Sequence, residues 1–158
     1  YLDSYSSSLP DDSLVLFCKN TAANAVLLYF AQQAKNNGID YIVKADIPND
    51  IFVSDTDISV LFGNMLENAL DACIAEKDDI RKIIICARLT GGSFCITVDN
   101  TFTGVLKFTN EGVLVSTKHK GLGLGTQSVK SIAEHYGGVC RFEVKDGMFC
   151  ASVMCNSK

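Results

Sequence analysis

Amide and carboxylate side chains recur along the stretch Leu61–Ala75 in a pattern that could hold a cation. At about 100° per residue, Asn64, Asn68 and Asp71 fall within a narrow arc of a helix, with Glu67 at its edge. Asn is a middling helix former that competes for backbone hydrogen bonds, so this set is not typical of a solvated helix face. This polar stripe of the helix is predicted to face a ligand. The alternative is a core helix whose polar face is simply exposed to solvent.

A second stretch, KGLGLGTQSV at 120–129, has the composition of an anion site. Gly121, Gly123 and Gly125 alternate at the predicted start of a helix, where backbone N–H groups can turn toward an anion and the helix dipole adds attraction. Phosphate is the favoured anion, and Lys118 just upstream could reach a terminal phosphate or be a solvated loop lysine. The pattern is neither a P-loop nor a Rossmann fingerprint. Glycine clusters also form hinges and corners, so this pattern alone leaves the ligand open.

Hydrophobic periodicity predicts the helix that must position the amides. Its apolar residues are spaced alternately three and one positions apart, which is the spacing of a wide buried face of a helix. Asp55 or Thr56 is the expected N-cap. This apolar stripe consists of Ile58, Leu61, Phe62, Met65, Leu66, Ala69, Leu70, Cys73 and Ile74.

The remaining elements alternate helices with antiparallel strands, which predicts an α+β, two-layer sandwich with about three helices covering one face of a mixed, mostly antiparallel sheet. A loop at 101–120 is expected to be mobile, with about one turn of helix. The predicted elements are a helix at Leu14–Asn37 broken near Asn20, a strand at Tyr41–Val43, a hairpin of Lys82–Leu89 and Phe94–Val98, a helix at Gly123–Tyr136, and a closing hairpin of Val139–Val144 and Phe149–Met154 around Asp146–Gly147.

Length and composition narrow the class of protein. A chain of 158 residues with 47% hydrophobic content suits one domain, and neither a bilayer-spanning apolar run nor a signal peptide is expected. The net charge of -4 argues against nucleic acid as a partner. The seven cysteines include no C-x-x-C pair, which favours a reducing, cytoplasmic setting over disulfides or structural zinc.

The two stretches together resemble a known superfamily. NMLENALDA at 64–72 resembles the N box of the ATPases that include DNA gyrase, the heat-shock chaperone of ninety kilodaltons, histidine kinases and mismatch-repair proteins, and KGLGLGTQSV resembles their second glycine box. The resemblance covers Ala22–Cys155. It implies a Bergerat-type ATP fold in 21–158 with an ATP lid at about 101–120, and it allows the lead-in 1–20 to be the remnant of a dimerisation helix.

The resemblance also implies roles for single residues. Asn68 matches the magnesium ligand. Gyrase-like hydrolases have Glu four residues earlier to activate water, and here that position is Asn64, which is similar to a sensor histidine kinase. Asn64 and Glu67 are therefore the candidate catalytic residues, with Glu67 acting as a base or orienting the acceptor. The expected ATP-binding residues are Asn64, Asn68, Asn100, Gly104, Lys118, Gly121, Leu122, Gly123, Leu124, Gly125 and Thr126.

The first glycine box departs from the usual Asp-x-Gly-x-Gly. Aligning Gly104 with the last Gly puts Asn100 at the adenine-reading Asp and Phe102 at the first Gly, a variant similar to the peptide-sensing, quorum-type branch of histidine kinases. An Asn oxygen can accept the same hydrogen bond without a charge. Asp99 as the reader is the alternative, although strand alternation places Asn100 on the same side as the core residue Val98.

The resemblance predicts that the phosphoacceptor histidine is absent from this sequence. His119 lies in the predicted lid and His135 near the end of a helix, whereas such kinases carry the acceptor histidine on an N-terminal helix. The implied protein is a Mg²⁺- and ATP-binding catalytic domain in the cytoplasmic part of a membrane-anchored bacterial receptor. Its implied partners are its own dimerisation helices and a downstream response regulator, without membrane or nucleic-acid contact. An anti-sigma-factor serine kinase and a nucleotide-dependent interaction module without transfer remain alternatives.

Overall fold

A computed structural model describes residues 16–76, 80–104, 108–111, 115–116, 121–122 and 124–158, with backbone alone at 115–116, 121–122 and 124. Within these residues the chain forms three helices and seven strands. The helices are α1 (Thr21–Asn36), α2 (Asp55–Ala75) and α3 (Leu124–His135). The strands are β1 (Asp40–Asp46), β2 (Lys82–Thr90), β3 (Ser93–Thr101), β4 (Val115–Ser116), β5 (Gly121–Leu122), β6 (Val139–Lys145) and β7 (Met148–Asn156).

Five of the strands form one mixed sheet in the order β1-β2-β3-β7-β6. Only the edge pair β1–β2 is parallel among these neighbours; the other three pairs are antiparallel. The helices α1, α2 and α3 pack on this sheet, with α2 between the other two. The predicted α+β sandwich with a mostly antiparallel sheet is confirmed.

The core lies between the helices and one face of the sheet. Alternate residues of β2 and β3 are buried there, as the period of two in a half-buried strand requires. Strand β3 continues to Thr101, beyond the predicted end at Val98, and it therefore carries Asn100 into the sheet. This extension fixes the side on which the polar residues after Val98 lie.

Helix α2 buries almost the whole predicted stripe. Ile58 and Cys73 are fully buried, but Ile74 is 47% exposed, so its assignment to the stripe was wrong. Ile74 is sixteen residues beyond Ile58, and at 3.6 residues per turn it lies about 160° around the helix from it. The N-cap is Ser54, whose hydroxyl accepts from the Asp57 amide at 3.2 Å, and not the predicted Asp55 or Thr56.

By length and hydropathy α2 would also suit a membrane-crossing helix, which the sequence analysis did not expect. A core helix can meet the same two criteria. Eight of its side chains are buried against the rest of the domain, so α2 is a core helix here.

Helix α1 begins at Thr21, and residues 16–20 precede it without helical structure. Asn20 is the N-cap: its Oδ1 accepts from the Ala23 amide at 3.0 Å, and its Nδ2 donates to the Asn49 carbonyl at 3.1 Å. The predicted break near Asn20 is thus the start of the helix, and the expected helical turn before it was wrong for 16–20. The cap hydrogen bonds explain why the helix starts there.

The closing hairpin of β6 and β7 turns at Asp146 and Gly147, where φ is 54° and 74°, as predicted for an Asp-Gly turn. Before it, Gly138 approaches β7 so closely that a Cβ atom would lie 1.7 Å from the Met154 carbonyl oxygen. Only glycine allows α3 to dock at this distance.

β4 lies in the predicted lid and forms a short antiparallel pair with β5, which follows directly after the predicted end of the lid at 120. The expected helical turn is not found among the described residues of 101–120. The remainder of the predicted lid lies outside the described residues.

Candidate functional site

The polar stripe of α2 lies at the edge of the core and not inside it. Asn64, Asn68 and Asp71 are half-buried, and Glu67 is exposed. These side chains are therefore accessible from the side of α2 that the sequence analysis assigned to a ligand. The amides are not turned in among the aliphatic side chains.

The side chain of Asn64 lies against the first turn of α3. A Cβ atom built on Gly125 would be 3.1 Å from Asn64 Oδ1 and 3.5 Å from its Cγ. Ordinary van der Waals contact leaves more room than the first of these distances, so the glycine makes this approach possible. The two stretches with predicted chemistry thus meet at one place, between α2 and the start of α3.

The start of α3 is suited to an anion. The first N–H groups of any helix lack intrahelical partners, and the first turn of α3 contains no acidic side chain. Thr126 in this turn is 7% exposed, whereas Gly125 is half-buried. An anion at this end would meet the positive end of the helix dipole.

The rest of the glycine stretch is divided between two elements. Gly121 and Leu122 form β5, paired with β4, and Leu124 is the first residue of α3. The predicted ligands Lys118 and Gly123 lie outside the described residues. The predicted ATP-binding residues in the first turn of α3 are therefore Leu124, Gly125 and Thr126, and Gly125 is the one that Asn64 approaches.

Asn100 and Asp99 lie on opposite faces of the sheet. Asn100 is 1% exposed on the helix-covered face, and its Nδ2 donates to the Thr101 carbonyl at 2.9 Å. Burial raises the pKa of Asp99, a hydrogen bond from Cys150 lowers it in part, and the nearby Glu143 carboxylate raises it further. Because Asp99 points away from α2 and α3, the geometry favours Asn100 as the residue that could read a base.

Three aromatic rings form a row near Asn100. The ring of Phe102 meets Phe149 edge to face at 5.8 Å, and Phe149 stacks on Phe142 at 6.1 Å. A Cβ atom on Gly104 would lie 2.6 Å from the Phe102 Cζ atom. The ring at the first-glycine position therefore packs directly on Gly104. The contact of Phe102 with Phe149 was not predicted from the sequence, although the strand register could have indicated it, since Phe149 pairs with Asn100.

A contact that the sequence analysis missed joins the end of α2 to the segment after β3. Glu76 Oε1 accepts from the Thr103 amide at 2.9 Å and from its hydroxyl at 3.1 Å, and Oε2 lies 3.2 Å from the same hydroxyl. One turn earlier, Cys73 Sγ is 3.5 Å from Thr101 Oγ1. No short-range pattern signals these contacts, because 27 residues separate Glu76 from Thr103.

A shallow groove of about 450 Å³ also runs between α2 and α3. Its lining contains none of the predicted site residues and consists of Val60, Gln127, Ser128, Ser131 and Ile132. The histidine on α3, His135, is exposed at the far end of the helix, where it meets Tyr136 edge to face at 4.9 Å. Neither Asn64 nor Gly125 lines this groove, and His135 lies at the opposite end of α3 from Gly125.

Comparison with known families shows to which protein family this chain belongs. Residues 53–156, which contain the polar stripe, Asn100 and the start of α3, match the family model of the GHKL domain. The chain belongs to the GHKL domain family. The resemblance found in the sequence is thereby confirmed at the level of the family.

Several solved structures similar to this GHKL domain are histidine kinases or their catalytic domains. The catalytic domain of histidine kinase ThkA in a nucleotide-free form has a TM-score of 0.68 at 18% identity, over 85% of this chain and 91% of that chain. Acinetobacter baumannii histidine kinase AdeS has 0.62 at 14% identity, over 98% and 75%. Full-length ShkA in complex with AMPPNP has 0.61 at 18% identity, over 86% and 30%. These likenesses show the fold, and no curated protein sequence matched.

Proposed function

We propose that this GHKL domain is the catalytic and ATP-binding part of a two-component sensor histidine kinase. It would bind Mg-ATP and deliver the γ-phosphoryl group to a histidine on separate dimerisation helices, in the cytoplasm. The observation that carries the proposal is the contact of Asn64 with Gly125, because it unites the amide stripe with a helix N-terminus. Similarity to histidine kinase catalytic domains supports the choice of kinase within the family.

The residues present fit a triphosphate. The first turn of α3 offers backbone N–H donors without an opposing carboxylate, and the missing side chain at Gly125 lets the Asn64 amide lie close to those donors. Thr126 is buried beside it in the same turn. Asn100 makes its hydrogen bond through Nδ2, so the acceptor oxygen of the same amide is suited to an adenine amino group.

They also fit magnesium that shares its ligands with the nucleotide. Mg²⁺ takes oxygen ligands, keeps several waters and is usually bound through one or two protein groups plus phosphates. Asn68 supplies an amide oxygen from a half-buried position on α2. The part of the chain that the structure describes contains no group of three or more His, Cys, Asp and Glu side chains that could hold a metal alone. One amide with phosphate oxygens is therefore the set we propose.

ATP supplies the phosphoryl group when it is bound, and this chain supplies position and charge. Asn64, unlike a carboxylate, does not activate water, which favours transfer over hydrolysis. Glu67 is exposed one turn from Asn64, where it can orient an incoming imidazole or take its proton. His135 lies ten residues beyond Gly125, about 15 Å along α3, so we assign the acceptor to a partner.

One observation favours a second candidate, a nucleotide-dependent interaction module without transfer. The Phe102 ring fills the first-glycine position of the box and packs on Gly104. If that ring holds the box in a geometry that binds the base but misplaces the phosphates, binding would occur without transfer.

The test combines the domain with a separately made histidine-kinase helical hairpin that carries a phosphoacceptor histidine, and with γ-labelled ATP and Mg²⁺. We expect acid-labile label on the hairpin. Acid-stable label would indicate a serine kinase, and ATP binding without label would indicate the interaction module. Asn68→Ala should abolish labelling, whereas the matched control Asn36→Ala changes an exposed amide on α1 and should label normally.

A further inference from the structure

The segment Thr101–Gly104, where the chain leaves β3, is anchored residue by residue to three different elements. Thr101 Oγ1 accepts from the Lys82 amide at 3.4 Å and touches Cys73. The Phe102 amide donates to the Gly147 carbonyl at 3.0 Å, at the β6–β7 turn. Thr103 donates both its amide and its hydroxyl to Glu76. The anchoring reaches as far as the residue before Gly104.

Glu76 occupies a position that helix stability alone does not explain. It is the C-cap of α2, and its backbone N–H closes the helix on the Ala72 and Cys73 carbonyls. A carboxylate at a helix C-terminus faces the negative end of the dipole. The last turn of α2 contains no basic residue of its own, and the cation that reaches this end, Arg81, donates to the Cys73 carbonyl at 3.3 Å. The Glu76 side chain instead accepts hydrogen bonds from Thr103, including the charge-assisted bond from its amide. The residue is better explained by its contact with the segment than by the helix.

The contact joins the two halves of the proposed nucleotide site. Helix α2 carries Asn64 and Asn68, on the phosphate and magnesium side, while the anchored segment follows Asn100 and contains Gly104, on the base side. We infer that Glu76 is a positioning residue that holds the base side in register with α2, so that base and phosphates are bound together. This inference rests on the proposed function and extends it to a residue outside both motifs.

Variants of the two partners separate the parts of the contact. Glu76→Ala removes every acceptor, and we expect it to weaken Mg-ATP binding roughly three- to tenfold. Thr103→Val keeps the backbone donor and should have a smaller effect, while Thr103→Ser restores the hydroxyl and should bind as the unaltered chain does. The double variant Glu76→Ala with Thr103→Val should be no weaker than Glu76→Ala alone, because both remove one contact.

Two measurements distinguish positioning from a general loss of structure. Hydrogen exchange at the Thr103 amide should accelerate in Glu76→Ala, and binding of Mg²⁺-tripolyphosphate should change less than binding of Mg-ATP, since only the nucleotide has a base. The matched control is Glu134→Ala, which removes an exposed carboxylate on α3 whose partner Lys130 lies at 4.0 Å. It should leave both ligands unaffected.

Equal ATP affinity in Glu76→Ala and Glu134→Ala would overturn the inference, as would equal losses for ATP and tripolyphosphate. If Glu76→Ala does not fold, the comparison of Thr103→Val with Thr103→Ser decides the same question: equal ATP affinity in both would overturn the inference. Failure of the unaltered chain to bind ATP would instead refute the proposed function, and the positioning role with it.

Discussion

Replacing Gly125 by Ala should separate the stability of the fold from nucleotide binding. Alanine is about 1 kcal/mol better than glycine in a helix interior, and Gly125, in the first turn of α3, gains at most that amount from the substitution. Against this, the new Cβ would be 3.1 Å from Asn64 Oδ1, so the Asn64 side chain must move by a few tenths of an ångström. The atom in contact is the end of a side chain, and leaving its preferred rotamer costs about 0.5–1.5 kcal/mol. The two effects nearly cancel, and for a domain of this size we expect Tm to change by less than about 4 °C.

Binding should respond more strongly than stability. The methyl group displaces Asn64 and covers the backbone N–H groups at the start of α3, so at least one hydrogen bond to a charged phosphate is lost. Such a bond contributes about 1.5–3 kcal/mol, which corresponds to a loss of affinity of roughly ten- to a hundredfold. The assay is a Mg-ATP titration by calorimetry, paired with thermal unfolding of the free protein.

The matched control is Gly63→Ala, the neighbouring glycine on α2. A Cβ atom at Gly63 meets nothing within 4 Å, so this variant should gain about 1 kcal/mol of helix stability and bind ATP normally. In the double variant of Gly125→Ala with Asn64→Ala, the new Cβ atom no longer meets Asn64 Oδ1, and Tm should be higher than in Gly125→Ala alone. Undiminished ATP affinity in Gly125→Ala, or a fall in Tm beyond about 4 °C that Asn64→Ala does not relieve, would refute the proposed geometry.

Three further variants test single residues. Asn68→Ala should abolish the Mg²⁺-dependent part of ATP binding with little change in Tm, as titrations with and without Mg²⁺ would show; unchanged affinity would count against this ligand. Asn100→Ala should reduce the preference for ATP over GTP, measured by competition, and equal losses for both nucleotides would point to a folding effect. Burial and the nearby Glu143 carboxylate raise the pKa of Asp99 in the folded protein above its ordinary value of 3.8. The fold therefore favours the protonated form: this contribution to stability is fully present below pH 3.8 and is lost as the pH rises through the folded pKa. Asp99→Asn should therefore raise Tm at pH 7 but not near pH 3, with nucleotide preference intact, and an equal Tm gain at both pH values would contradict this.

Much of the fold is predictable because local patterns and tertiary packing agree. The buried stripe of α2 follows its period, and the closing hairpin follows an Asp-Gly turn whose positive φ values the structure shows. Two of the errors lie at the ends of helix α2. Ile74 continues the stepping pattern, but sixteen residues of rotation carry it off the core. Ser54 and not its neighbours caps α2, since adjacent Ser, Asp and Thr residues are all good caps and only the chain path selects one.

The sequence predicts which candidate site residues share a face of one helix or one strand, because residue spacing alone determines this. Strand parity placed Asn100 beside Val98 on the covered face, and helical rotation placed Asn64 and Asn68 together. The contact of Asn64 with Gly125 was predicted only as a convergence of two motifs, because the packing of α3 on α2 sets its distance. The contact between Glu76 and Thr103 was missed, since it depends on how two element ends meet in space.

The two departures from the usual first glycine box, Asn100 and Phe102, are linked in the structure through Phe149. Asn100 is 1% exposed and pairs across the sheet with Ile83 and Phe149, and Phe149 in turn meets the Phe102 ring. A carboxylate in that apolar setting would be desolvated, whereas a neutral amide that donates to the Thr101 carbonyl is tolerated. Glycine at the Phe102 position would remove the ring that packs on Gly104 and meets Phe149, and we expect water then to reach residue 100, where it would favour a charged Asp. The phenylalanine and the asparagine therefore belong together, and restoring the Asp alone would place an unpaired charge in a site built for an amide.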